Sequence, residues 1–158
     1  MAICNPTGLK ALLPAGRRLL GLDVGSRTIG MALSDPGLTV ASPIGTIRRT
    51  KFTADAEALA RLCAEREVGG ILIGFPVNMD GSQGAACQSI RQFAHNLIRR
   101  ADLFEAEPVI AFWDERLSTS AVNRLMIEFD MTRKRRAEVV DKMAAAYILQ
   151  GALDSLAP

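Results

Sequence analysis

Acidic side chains occur where the sequence otherwise predicts buried strands. Asp23 lies within an apolar strand pattern at residues 18–24. Asp114 and Glu115 directly follow a second apolar run at residues 109–113. Ligand sites gather at the carboxyl ends of such strands. Neighbouring strand residues point to opposite faces, so only one of this pair is expected to face Asp23, and the sequence leaves open which.

Asp141 belongs to a helical pattern whose face is otherwise small and apolar. It shares that face with Ala144, Ala145 and Ile148, at spacings of three, four and seven residues. An ionised carboxylate on a packing face is costly unless a cation or a hydrogen-bond donor compensates it. Brought together, acids from two strands and this helix would form an oxygen-ligand site suited to Mg²⁺ or Mn²⁺. Two such ions about 3.5–4 Å apart stabilise the attacking and leaving oxygens of a phosphodiester displacement.

Each acid also has a purely structural explanation. Asp23 could cap the turn that begins at Gly25. One acid of the pair after the second strand could bind Arg116 or a backbone amide. Asp141 could be a solvated acid in the first turn of its helix, where the helix dipole favours negative charge. The metal-site prediction therefore depends on the three positions meeting, and not on any single carboxylate.

Three segments carry groups that could hold a phosphate backbone. Residues 79–84 are rich in glycine and precede a helix, whose amino end offers N–H groups to an anion. Ser82 could bind there or simply cap the helix. Arg116 could bind a phosphate in a forked geometry, and Ser118 could help it or cap the next helix. The densest basic run comes shortly before Asp141 and is predicted to neutralise an entering phosphate chain: Arg133, Lys134, Arg135 and Arg136.

Composition is that of one folded domain. The 158 residues are 49% apolar and 23% charged with a formal net charge of +2, which excludes disordered and low-complexity classes. The longest apolar stretch, residues 68–77, is far shorter than the ~20 residues of a membrane span. Cys4, Cys63 and Cys87 lack a paired or metal-binding spacing and indicate thiols in a reducing cytoplasm. His95, the only histidine, is predicted to be a partly buried helix residue and not a catalyst.

Apolar periodicity predicts the elements that must position these residues. An irregular lead-in at 1–16 precedes a single domain at 17–158. Three strands form an antiparallel meander at 18–24, 28–34 and 38–47. Helices and strands then alternate: a helix at 53–67, a strand at 70–75, a helix at 85–99, a strand at 109–113, and helices at 117–129 and 135–156. This order predicts an α/β fold with a five-stranded mixed sheet, parallel in its second half, and helices on both faces.

Four motifs in this order resemble the YqgF (RuvX) family of bacterial nucleases assigned to pre-16S ribosomal RNA, which are related to Holliday junction resolvases. The resemblance covers about residues 18–156. The motifs are Gly21-Leu22-Asp23-Val24-Gly25 with Ile29-Gly30-Met31-Ala32, Gly74-Phe75-Pro76 through Met79-Asp80-Gly81-Ser82, Asp114-Glu115-Arg116-Leu117-Ser118-Thr119, and Asp141-Lys142 with Ala144-Ala145-Ala146 and Ile148-Leu149-Gln150.

The resemblance implies an RNase H-like fold and metal-dependent phosphodiester cleavage. It puts Asp23, Glu115 and Asp141 at the family's acidic positions, with Asp114 in reserve for the middle one. The implied substrate is structured RNA at the 5′ end of pre-16S ribosomal RNA, with branched DNA at a Holliday junction as the alternative. We therefore expect a cytoplasmic hydrolase that uses Mg²⁺ or Mn²⁺ and acts as a monomer or a homodimer.

Two other function classes compete with this expectation. Residues 21–25 resemble the first phosphate loop of actin-like and sugar-kinase-like ATPases, but those proteins need two domains and a second Gly-rich phosphate motif, which this chain lacks. A non-catalytic RNA-binding factor of ribosome assembly could keep the fold without the activity. The retained acids argue against that class, because packing them together without a metal is costly.

Overall fold

A six-stranded mixed sheet organises the computed structural model, which describes residues 3–114 and 133–156, with the backbone alone at 133–142. The strands are β1 (Ile3–Cys4), β2 (Arg18–Val24), β3 (Thr28–Ser34), β4 (Ala41–Arg48), β5 (Val68–Phe75) and β6 (Val109–Asp114). The helices in these residues are α1 (Leu9–Leu12), α2 (Phe52–Glu65), α3 (Ala85–Arg99) and α4 (Arg133–Leu156), with short 3-10 turns at Pro6–Gly8 and Ala101–Leu103.

The sheet has the predicted change from antiparallel to parallel pairing. Its strand order is β1-β6-β5-β2-β3-β4. β2, β3 and β4 pair antiparallel, whereas β5 pairs parallel with both β2 and β6. The predicted meander and the parallel second half are therefore both confirmed, and β2 lies at the centre where the two halves meet.

β4 begins at Ala41 and not at residue 38 as predicted. The Asp35 carboxylate explains the difference, because it accepts hydrogen bonds from the backbone N–H groups of Thr39, at 2.7 Å, and Val40, at 2.9 Å. Leu38 has a φ of 59°, in the left-handed region. These bonds hold residues 35–40 in a turn, so strand pairing starts only after it.

Side chains on the two faces of the sheet build two separate cores. Leu20 and Leu22 of β2 face a core covered by α2 and α3. Leu19 faces the other core, which α4 covers together with Leu9 of α1. The alternation along β2 follows from the two-residue period of a strand, and it confirms that helices cover both faces.

The amino-terminal segment is more ordered than the sequence predicts. Ile3 pairs with Ile110 in parallel, which makes β1 a sixth strand where five are expected. Leu9 is fully buried in the α4-side core. The sequence pattern does not predict these elements, because elements of two and four residues are too short to show a hydrophobic period. The proposed domain limits of 17–158 stay a prediction.

Several smaller expectations can also be compared with the structure. All three cysteines are free thiols, and Cys63 and Cys87 are buried packing groups as predicted. His95 is exposed, contrary to prediction, since the buried stripe of α3 runs along its other side. The helix predicted at 117–129 lies outside the described residues. Within the part of the chain that the structure describes, no helix combines the length and apolar character that crossing a membrane requires.

Candidate active site

Asp23 lies near the carboxyl end of β2, half-buried, on the face that α4 covers. The assignment follows from strand alternation, because Leu19 and Gly21 precede Asp23 at two-residue steps and both face α4. Gly30 of β3 is the register partner of Asp23. On the other side, Gly74 follows Ile73, the partner of Leu22. Neither neighbour carries a side chain, so the two adjacent strands do not crowd the carboxylate at this level of the sheet.

α4 runs antiparallel to β2 and approaches it closely at Gly21. A Cβ atom added to Gly21 would lie 2.9 Å from the Cβ of Leu149 and 3.1 Å from the carbonyl oxygen of Ala145. Further along α4, the Gln150 side chain accepts a hydrogen bond from the Ala41 N–H at 2.9 Å, near the opposite end of the sheet from Asp23. The amino-terminal half of α4 therefore points towards the Asp23 end.

The spacing along the two elements brings Asp141 level with Asp23. Asp141 precedes Ala145 by four residues, which is about 6 Å along a helix. Asp23 follows Gly21 by two residues, which is about 7 Å along a strand in the opposite direction. The side chain of Asp141 lies outside the described part of the molecule, so the structure positions its backbone only.

Asp114 ends β6 on the opposite face of the sheet from Asp23. Ile110 and Phe112, at two-residue steps before it, belong to the core under α2 and α3. Its register partner is Phe75, which lies in the same core. Trp113 faces α4 instead, where a Cβ added at Gly151 would lie 3.2 Å from its ring. Glu115 lies outside the described residues.

The loop between β5 and α3 is held by its own side chains. The Ser82 hydroxyl donates to a carboxylate oxygen of Asp80 at 2.6 Å, and its backbone N–H donates to the same oxygen at 2.9 Å. The Asn78 amide donates to the Ser82 hydroxyl at 3.0 Å. Gly84, and not Ser82, is the N-cap residue of α3. Ser82 therefore organises this loop, and the alternative that it caps the helix was wrong.

The remaining predicted residues cannot be compared with side-chain positions. Arg116 and Ser118 lie outside the described residues, and the basic run at 133–136 is described by its backbone in the first turn of α4. Within the described residues, no group of three potential metal ligands occurs. Two of the three predicted ligand side chains fall outside that set, so the metal site stays a prediction. Asp23, a half-buried carboxylate near the carboxyl end of β2 between two glycines, fits such a site.

One basic segment at this end of the sheet was not singled out from the sequence. Arg48, Arg49 and Lys51 follow one another at the end of β4, on the far side of β3 from Asp23. The basic spacing itself was visible in the sequence. Its position beside Asp23 depends on the pairing of β4 with β3, which the sequence predicted only in outline.

A family model and two relatives match nearly the whole of this chain. The family model described as RuvX, Holliday junction resolvase, matches residues 17–155. A protein of Rhodospirillum centenum with the name "Putative pre-16S rRNA nuclease" is 67% identical over 156 residues, which cover 99% of this chain and 83% of that protein. A protein of Paramagnetospirillum magneticum with the same name is 59% identical over 155 residues, covering 98% and 97% of the two chains.

A solved structure is similar in fold. The crystal structure of the fowlpox virus resolvase with its substrate Holliday junction DNA superposes with a TM-score of 0.51, covering 89% of this chain and 99% of that chain. The two sequences are 9% identical, so the similarity concerns the fold alone. The mixed sheet with helices on both faces confirms the predicted RNase H-like architecture, with six strands in place of five.

Proposed function

This chain belongs to the RuvX family, and we propose that it is a divalent-metal-dependent endonuclease that matures the 5′ end of pre-16S ribosomal RNA. Two observations support the RNA substrate over others. The similar proteins of R. centenum and P. magneticum carry a pre-16S rRNA nuclease name. They match nearly the whole of this chain, and we propose that the activity belongs to the cytoplasm, where that RNA is made.

The contact of Gly21 with α4 is the observation that carries the proposal. It supports the proposal because it sets the backbone of α4 at Asp141 level with Asp23 of β2, 118 residues away in the chain. Asp23, Glu115 and Asp141 are the proposed ligands of Mg²⁺ or Mn²⁺. Such a cation, when bound, neutralises the charge that develops on phosphate oxygens during cleavage. Asp23, at the centre of the sheet, would help to hold this cation, and the glycines on the two neighbouring strands would leave the phosphate room to approach.

The alternation of β6 favours Glu115 over Asp114 as the third ligand. Asp114 shares a face with Phe112 and Phe75, away from Asp23. A residue following Asp114 in the same extended conformation would share the face of Trp113, which is the face of Asp23. We therefore propose Glu115 for the middle acidic position and a different role for Asp114.

The remaining residues of the proposed site bind the RNA backbone. Ser82 lies in a loop whose internal hydrogen bonds hold it at the amino end of α3. Arg116 and Ser118 follow β6, and the basic run of α4 lies just before Asp141, so phosphates on both sides of the scissile bond have cationic or hydroxyl partners. The residues proposed to bind these phosphates are Arg116, Ser118, Arg133, Lys134, Arg135 and Arg136.

A second substrate is favoured by the description of the matching family model, which names a Holliday junction resolvase. Branched DNA presents the same phosphodiester chemistry to the same acids, so the site by itself does not separate the two substrates. Comparing a pre-16S 5′ fragment with a four-way DNA junction under one set of conditions does separate them, and we expect the RNA to be cut faster.

The experiment measures cleavage of the pre-16S 5′ fragment with Mg²⁺ or Mn²⁺ by purified wild type, Asp23→Asn, Glu115→Gln and Asp114→Asn. Asp23→Asn and Glu115→Gln are expected to lose cleavage and to keep RNA binding. Asp114→Asn is expected to keep most of the activity. The matched control is Asp102→Asn, an exposed acid after α3 that pairs with Arg100.

Two results would contradict the proposal. Undiminished cleavage by Asp23→Asn would remove this residue from the reaction. Binding of the RNA without cleavage by the wild type at any metal concentration would make the chain a non-catalytic RNA-binding factor. If Asp114→Asn loses activity and Glu115→Gln keeps it, the nuclease assignment stands and the middle acid is Asp114.

A further inference from the structure

Four basic side chains gather at the edge of the sheet beside the candidate active site. Arg48 is the register partner of Thr28, and the backbone N–H of Arg49 donates to the carbonyl of Arg27 at 2.8 Å. Strand pairing thus puts the turn after β2 next to the end of β4. We call Arg27, Arg48, Arg49 and Lys51 the β4 basic cluster. Arg27, Arg48 and Lys51 are exposed, and Arg49 is half-buried.

Arg49 is held in place by contacts that leave its charge unpaired. Its Nη1 donates to the carbonyl oxygen of Gly25 at 2.6 Å. Its guanidinium carbon lies 5.6 Å from the centre of the Phe93 ring, which packs edge-on against Phe52. A carbonyl and an aromatic ring orient a guanidinium without cancelling its positive charge. The side chain is therefore already ordered, and a ligand that binds it loses less conformational entropy.

No acidic side chain among the described residues forms an ion pair with the cluster. Asp55, the acid that follows it in the chain, is almost fully buried. One of its oxygens accepts a hydrogen bond from the Thr50 N–H at 3.2 Å, so this carboxylate ties the start of α2 to β4. Four positive charges therefore concentrate at one edge of a molecule whose formal net charge is +2.

The cluster lies at a distance from Asp23 that a bound nucleic acid would bridge. Asp23 pairs with Gly30, and Gly30 pairs with Thr46, so Asp23 and Thr46 are two strands, about 10 Å, apart. Arg48 lies two residues, about 7 Å, further along the same face of β4. Its Cα is therefore about 12 Å from that of Asp23, a distance that a few nucleotides span.

We propose that the β4 basic cluster binds the phosphates of the nucleic acid strand that passes Asp23, on the side of the site opposite β6. Arg48 reaches the strand from the same sheet face as Asp23, and Arg49 supports the turn at Gly25 while presenting its charge at the edge. The contacts are to the backbone, so they act on any sequence. This inference rests on the proposed function for the identity of the ligand.

The test is the salt dependence of binding, measured by fluorescence anisotropy with a fluorescein-labelled RNA hairpin that has a single-stranded 5′ tail, in EDTA. The slope of log K against log salt concentration is negative, and each phosphate contact that is lost reduces its magnitude by about 0.7–0.9. Arg48→Gln is expected to reduce this magnitude by about that amount, and Arg48→Gln with Arg49→Gln by about twice as much. Arg49→Lys keeps the charge and is expected to keep the slope.

The matched control is Arg99→Gln. Arg99 is an exposed arginine at the far end of α3, roughly 20 Å along that helix from the loop that carries Ser82. Its substitution is expected to leave the slope at the wild-type value. Thermal unfolding of every variant identifies any that is not folded, and Arg48→Gln, which removes an exposed side chain, serves if the double variant is unstable.

If Arg48→Gln and the double variant both keep the wild-type slope, the proposal is overturned. The cluster would then bind a different partner, such as an acidic protein. The outcome is separate from that of the nuclease proposal. A reduced slope in a protein that cleaves nothing supports the cluster and contradicts the nuclease. Asp23-dependent cleavage with an unchanged slope supports the nuclease and contradicts the cluster.

Discussion

Gly21→Ala tests whether the close approach of α4 to β2 builds the site. The added methyl group would lie 2.9 Å from the Cβ of Leu149 and 3.1 Å from the carbonyl oxygen of Ala145. Both atoms are fixed to the helix backbone, so neither can rotate away and α4 must move outwards. Inserting a methyl group into a packed core in this way costs about 1–3 kcal/mol. At about 2–4 °C per kcal/mol for a protein of this size, the melting temperature should fall by about 2–12 °C.

The same shift moves Asp141 away from Asp23. A misplacement of about 1 Å between reacting groups costs about 100-fold in rate, so a smaller shift should lower cleavage by about 10- to 100-fold. The assays are thermal unfolding by circular dichroism and RNA cleavage at a temperature where both proteins are folded. Gly8→Ala is the control, because nothing lies within 4 Å of a Cβ atom added there. If Gly21→Ala matches the wild type in both assays, the packing argument for the site is refuted.

Three further predictions follow from individual contacts. Burial raises the pKa of the Cys63 thiol to about 12. Ellman's reagent at pH 8 should therefore modify Cys63 only after the protein unfolds. Equal labelling of all three cysteines in the native protein would contradict this prediction. Backbone and side-chain hydrogen bonds from Val40 and Thr39 lower the pKa of Asp35 from 3.8 to about 2. The contribution of the ionised Asp35 carboxylate to stability should be complete above about pH 4 and lost as the pH falls towards 2. The unfolding free energies of wild type and Asp35→Asn should therefore converge at low pH. A difference that stays constant with pH would contradict this prediction. Leu9→Ala should lower the free energy of unfolding by about 2–5 kcal/mol, measured by urea denaturation, because Leu9 is fully buried, and a neutral effect would show that the amino-terminal segment is dispensable.

Much of the fold could be predicted because the local sequence pattern of each long element identifies it as a helix or a strand. The limits of β2, β3 and α3 agree with the prediction, since apolar periodicity and turn residues are properties of short segments. β1 and α1 were missed for the converse reason. Each is too short to show a period, and each is stabilised by distant residues, as the pairing of Ile3 with Ile110 illustrates.

The candidate site could likewise be predicted only in part from the sequence. The sequence by itself determined which residue types are available. It has acids at 23, 114, 115 and 141, where burial makes them costly, and basic residues at 48, 49, 51 and 133–136. It could not determine which face of the sheet each acid occupies. A carboxylate changes face with one residue of register, and register depends on pairing with strands far away in the chain.

Only the tertiary structure decided that Asp23 faces α4 and that Asp114 faces the other core. It also decided that Arg48 and Arg49 meet Arg27 beside the site. The physical reason is that side-chain chemistry is a property of single residues, whereas proximity is a property of packing. Gly21 connects the two: its missing side chain lets α4 approach β2, and that approach sets how near Asp141 comes to Asp23.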